Sequence, residues 1–171
     1  FDSACCPTQF GCTDDVMKYE YDPEKAKKLL AEAGYPDGFE TILYGYRNRP
    51  YAEAMVGDLA AVGIKAKLMM MKYSALREKH RAGKVQFNFQ TWGSYSINDV
   101  LAFVSYFFEF SDDDMARDPQ VRDWLLEADT SIDSEKRKML YKKALQRIAE
   151  QAYFAPLFTY VSNNCFSKDL D

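Results

Sequence analysis

The segment from Phe39 to Thr91 switches repeatedly between two hydrophobic periods, and this constrains the fold more than any other feature of the chain. Phe39 to Tyr46 alternates and is rich in aromatic and β-branched residues, which predicts a strand. Pro50 to Val62 carries Ala52, Met55, Val56, Leu59 and Val62 at helical spacing and is closed by Gly63. Ile64 to Met71 predicts a second strand, and a basic helix from Ser74 to Ala82 leads through Gly83 into a third, Val85 to Thr91. Neighbouring strands joined by helical crossovers run parallel, because an antiparallel pair needs only a short turn. The expected fold is therefore α/β, with a mainly parallel central sheet flanked by helices.

The flanks are read in the same terms. Residues up to Met17 hold Cys, Pro, Gly and paired aspartates without periodicity, an irregular leader. Asp22 followed by Pro23 and Glu24 starts a helix that Gly34 stops, and Tyr35 to Gly38 is a turn. Beyond Trp92 come a Ser/Gly-rich turn, an aromatic stretch from Val100 to Phe110 with no assigned element, and an acidic run, Ser111 to Asp114, read as a solvated loop. Helices are expected over Pro119 to Ala128 and Asp133 to about Ala152, then an extended segment from Tyr153 to Val161. Leu29, Leu30, Val56, Leu59, Phe87, Leu140 and Ile148 are the expected core.

Composition excludes several classes. A chain of 171 residues that is 47% apolar fits one globular domain. Its 22 basic and 26 acidic residues nearly cancel, so no general attraction to phosphate backbones arises and nucleic acid is not an expected partner. No apolar run approaches the roughly 18 residues of a membrane span, and FDSACC lacks the basic head of a secretion signal. Cys5, Cys6, Cys12 and Cys165 lie near the ends of the chain with no CxxC pair and a single histidine, His80, so neither a metal site nor a cofactor is expected. A disulfide involving Cys165, or the pair Cys6 and Cys12, is expected; free buried thiols are the alternative.

Catalytic signatures such as GxSxG, HExxH and GxGxxG are missing from the sequence. A small hydrolase using a cysteine with His80 is one alternative reading, although REKHRAGK around that histidine looks like a solvated helix face. A structural or partner-docking module is another. The third strand is more informative. Phe87 and Phe89 share one face, while Gln86, Asn88, Gln90 and Trp92 share the other, which makes that face either solvent-exposed or the wall of a polar cleft. The turn that follows lies where open α/β sheets bind ligands. The ligand-binding candidates are Gln90, Trp92, Gly93, Ser94, Tyr95, Asn98 and Asp99, against the plainer reading of a core tryptophan and helix-capping polar residues.

The stretch YDPEKAKKLLAEAGYPDGF, Tyr21 to Phe39, closely resembles the corresponding segment of the family 5 extracytoplasmic solute-binding proteins, the dipeptide, oligopeptide and nickel binders of ABC importers. Asp58 to Lys65, Trp92-Gly93, Arg137 to Ile148, Ala155-Pro156-Leu157 and Ser167 to Leu170 resemble further motifs of that family in the same order. The resemblance implies the C-terminal lobe of a two-lobed periplasmic binding protein about three times longer: a hinge segment at 1–17, the α/β lobe at 18–162 and a return segment at 163–171. It implies a peptide or other small polar solute as ligand, a membrane permease of an ABC importer and the missing N-terminal lobe as partners, no catalysis, and a periplasmic or extracytoplasmic location. It also implies that Cys165 lies near the N-terminal cysteines. In peptide-binding relatives an acidic residue three places after the strand-end tryptophan pairs with the peptide's α-amino group; here that position is Tyr95, which opens the ligand class to other solutes.

Overall fold

The computed structural model describes residues 2–94 and 96–159. The chain divides into two compact units, one drawn from Tyr19–Gly93 and Phe110–Met115, the other from Phe1–Lys18, Ser94–Glu109 and Ala116–Asp171.

The first unit contains α1 (Pro23–Glu32), β1 (Phe39–Gly45), α2 (Arg49–Ala61), β2 (Ile64–Met70), α3 (Tyr73–Arg81) and β3 (Asn88–Phe89). Its sheet has the order β2-β1-β3 and both pairings are parallel, as the crossover pattern requires. Leu43 stands opposite Leu68 in the register. On one face Leu43, Ala66 and Phe89 pack with Ala52 of α2, supported by Met55, Val56, Leu59 and Phe87. On the other, Tyr44 packs with Leu76 of α3 and with Val85. β1 is thus apolar on both sides, the expected state of an interior parallel strand.

Several expectations need correction within this unit. The third strand shrinks to two paired residues because β1 ends at Gly45, opposite Phe89, leaving Gln90 and Thr91 without a ladder partner on it. Leu29 is 54% exposed, and α1 buries no residue completely; it is held at its start by Asp22, whose carboxylate accepts the Lys25 N–H at 2.9 Å. The acidic run is not a solvated loop. Asp112 is exposed, but Asp113 and Asp114 are buried. Asp113 takes charge-assisted hydrogen bonds from Arg77 (3.1 Å) and Arg81 (3.0 Å), and Asp114 accepts the Phe110 N–H at 3.0 Å. Charge alone suggested solvation; the arginines of α3 supply the neutralisation that makes burial possible.

The second unit holds α4 (Leu101–Phe108), α5 (Pro119–Thr130) and α6 (Ser134–Glu150). Asp118 and Asp133 cap α5 and α6, each accepting two backbone N–H groups. Leu140 and Ile148 are buried as expected. α4 falls in the aromatic stretch that gave no element, because Val, Phe and Tyr are poor intrinsic helix formers; burial of Val104, Phe107 and Phe108 at helical spacing outweighs that propensity. No strand forms from Tyr153 through residue 159, the last described position.

The disulfide joins Cys5 to Cys12, with Cα atoms 5.6 Å apart, so the expected Cys6–Cys12 pair is not formed. Neighbouring side chains diverge: the Cys6 thiol instead meets the Thr8 hydroxyl at 3.5 Å. Cys165 lies outside the described residues.

Candidate functional site

The segment after β3 is fixed at its entrance by Tyr46, whose hydroxyl donates to the Thr91 carbonyl at 3.0 Å and lies 3.0 Å from the Thr91 hydroxyl. Tyr46 is itself packed on Tyr73, with ring centroids 4.9 Å apart. Gln90 and Trp92 are half-buried, so each keeps part of its surface in water, and Gly93 is exposed. A Cβ at Gly93 would meet nothing within 4 Å, so this glycine is not forced by packing. These three residues belong to the sheet unit.

The continuation belongs to the helical unit. Ser94 is half-buried, and its carbonyl accepts the Ile97 N–H at 2.9 Å, closing a turn in which Ser96 has φ of 65°. Ile97 and Asn98 are exposed. Tyr95 lies outside the described residues. Asp99 differs from the others, because its carboxylate is already engaged: Oδ1 accepts the Leu101 N–H at 3.1 Å and Oδ2 accepts Arg137 Nη2 at 2.7 Å. The helix-start reading of Asp99 therefore describes its local role, and its negative charge is met within the fold.

Arg137 also donates to the Tyr141 hydroxyl at 2.8 Å, and Tyr141 donates to Asp129 at 2.6 Å. Burial works against the Arg137 charge, but the bonds to Tyr141 and Asp99 more than offset it and hold its pKa above the ordinary value. Burial, reinforced by the acceptor Asp129, pushes the Tyr141 hydroxyl up. Sequence reading gave Arg137 only as part of a motif. Its function as the partner of Asp99 has no local signal, since the two are far apart in the chain.

His80 is not on a solvated face. Its side chain is 13% exposed, with Nδ1 3.9 Å from Asp113. Burial depresses its pKa, opposed by the Asp113 charge and assisted by Arg81. Within its own unit His80 is turned to Asp113; in the other, Cys6 meets Thr8, and Cys5 and Cys12 are bonded to each other.

The sheet unit is thus an α/β unit with a parallel sheet packed against α2 on one face and α3 on the other, and with Gln90 and Trp92 partly exposed beyond the carboxyl end of its edge strand. The chain belongs to the bacterial extracellular solute-binding proteins, family 5: residues 2–114 match the middle region of that family. It is 32% identical over 164 residues to the heme-binding protein A of Haemophilus influenzae, an alignment covering 88% of this chain and 30% of that protein. It is 31% identical over 160 residues to the dipeptide-binding protein of Escherichia coli, covering 85% and 30%. A periplasmic binding protein associated with an ABC transporter of Helicobacter pylori, solved with the peptide STSA, superposes with a TM-score of 0.81 at 29% identity, over 92% of this chain and 32% of that one. The chain thus spans about a third of the length of these relatives.

Proposed function

We propose that this chain is one lobe of an extracytoplasmic solute-binding protein that captures a peptide and delivers it to the membrane permease of an ABC importer. Its proposed limits are a hinge segment at 1–17, the lobe at 18–162 and a return segment at 163–171. Gln90, Trp92, Gly93, Ser94, Tyr95 and Asn98 form the solute-facing segment, with Asp99 at its end.

The observation that carries this reading is the exposure pattern at the strand exit. Trp92 and Gln90 keep solvent-facing surface, and Ser94 and Asn98 add a hydroxyl and a carboxamide, while the one carboxylate of the segment is neutralised by Arg137. Such a segment offers a ring for apolar contact and neutral hydrogen-bonding groups for orientation. The peptides and dipeptides in the names of the relatives support the ligand class. Asp99 is engaged by Arg137, so the one carboxylate of the segment is not offered to a peptide's amino terminus. If the missing lobe supplies half the contacts and its loss removes on the order of 4 kcal/mol, one lobe alone binds more weakly by roughly a thousandfold, since each 1.4 kcal/mol is tenfold.

Mass spectrometry of small molecules released from the full-length protein after native purification tests the proposal. Recovery of peptides supports it; recovery of a single non-peptide solute, such as a sugar or a porphyrin, overturns the ligand class.

A further inference from the structure

We infer that Arg137 is a positioning residue for solute capture: acting through Asp99, it holds the turn 94–99 in shape without touching the solute. The inference rests on the solute-binding reading of that turn.

The guanidinium joins several elements at one point. Nη2 reaches Asp99 Oδ2 at 2.7 Å and the Tyr141 hydroxyl at 2.8 Å, Nε donates to the Ala128 carbonyl at the end of α5 at 3.2 Å, and the group lies 4.9 Å from the ring centroid of Phe10. The backbone of Phe10 brackets Asp99 in turn. Its N–H donates to the Asn98 carbonyl and its carbonyl accepts the Val100 N–H, both at 3.1 Å. The Asp99 end of the turn is therefore fixed by Phe10 on its backbone side and by Arg137 on its side-chain side. At 21% and 15% side-chain exposure, the Arg137–Asp99 pair is shielded enough that salt screens it little.

The turn needs such an anchor. Ser96 sits in the left-handed region at φ 65°, a conformation that persists in a non-glycine residue only where its surroundings impose it. Ile97 and Asn98 are exposed and contribute little burial of their own. A lysine at 137 has three donors but all on one nitrogen, whereas these bonds leave from both Nε and Nη2 of a planar fork, so it does not reproduce their spread toward Asp99, Tyr141 and the Ala128 carbonyl.

Amide hydrogen exchange on this chain tests the inference, with Arg147→Gln as control. Arg147 lies on the same helix and makes an equivalent ion pair, Nε to Asp118 Oδ2 at 2.6 Å, remote in sequence from the turn. Arg137→Gln is expected to speed exchange at Ile97, Val100 and Leu101 by about tenfold or more, the scale of a lost hydrogen bond to a charged group. Arg137→Lys is expected to fall between wild type and Arg137→Gln, and Arg147→Gln to leave the three amides unchanged. In a second arm the tetrapeptide STSA is titrated against wild type and Arg137→Gln, and the variant is expected to bind it at least tenfold more weakly. Unchanged exchange in Arg137→Gln, an equal response to Arg147→Gln, or equal STSA affinity of wild type and Arg137→Gln would overturn the inference. If wild type shows no STSA binding even at millimolar peptide, a range that a lobe weakened roughly a thousandfold still reaches, while the amides respond as expected, the peptide reading fails and the anchoring of the turn by Arg137 stands.

Discussion

Gly38 and Gly63, at the starts of the two neighbouring parallel strands β1 and β2, approach so closely that a Cβ on Gly38 would lie 1.8 Å from the Gly63 carbonyl oxygen. Both have positive φ, 74° and 95°. Gly38→Ala therefore meets backbone that cannot step aside, in a conformation an L side chain resists. It is expected to lower stability by about 3 kcal/mol or more in urea unfolding. Gly34→Ala supplies the comparison. Its φ is 91° but nothing lies within 4 Å of the added carbon, so about 1 kcal/mol is expected. Equal losses would mean that the close approach of the strand starts is not what Gly38 serves.

Asp118 gathers the Arg147 side chain at 2.6 Å, the Tyr153 hydroxyl at 2.9 Å and the Gln120 and Val121 N–H groups. Burial pushes its pKa up, but these donors outweigh burial and hold it below the ordinary 3.8. A depressed folded pKa gives stability that is present above about pH 4 and lost as pH falls through the folded value. Asp118→Asn is expected to cost about 2 to 3 kcal/mol at pH 7 and to flatten the acid limb of the stability curve. An unchanged acid limb would assign that pH dependence to other carboxylates.

Glu109 shows the opposite behaviour. Burial, then the charge and hydrogen bonding of Asp129, push its carboxyl from 4.5 up to about 7, against a smaller lowering by Ser105. A raised folded pKa means that the stability contribution is complete below pH 4.5 and is lost as pH rises through 7. Glu109→Gln is expected to be more stable than wild type at pH 8, by about 1 kcal/mol after discounting for partial exposure, and equally stable at pH 4. Thermal melts at the two pH values check this, and a variant less stable at pH 8 would contradict it.

The Cys5–Cys12 bridge closes a loop of sequence separation 7. Cys5→Ser/Cys12→Ser is expected to cost about 2.5 kcal/mol by loop entropy. Peptide mapping under non-reducing conditions should join Cys5 to Cys12; a Cys6–Cys12 peptide would contradict the structure.

The crossover pattern made the parallel sheet legible, because period and glycine punctuation are local signals that β1, α2, β2 and α3 all obey. What the sequence hid is non-local. Asp113 reads as solvated until Arg77 and Arg81 are brought to it, and α4 reads as irregular until Phe107 and Phe108 are buried. Leu29 shows the reverse error: helical spacing marks a face, but nothing in a single helix says what will cover it. At the candidate site, position within the topology pointed to 90–99, whereas the engagement of Asp99 by Arg137 depends on a contact no spacing encodes.

Solute contact by the strand-exit segment is tested most directly by a backbone-amide and indole NMR titration of this chain with millimolar STSA. Shift changes are expected to concentrate at the Trp92 indole and the amides of Gln90 to Asn98, and to disappear in Trp92→Ala with the sheet resonances unmoved. Saturable changes centred elsewhere, or a response that survives Trp92→Ala undiminished, would contradict the assignment of this segment as solute-facing.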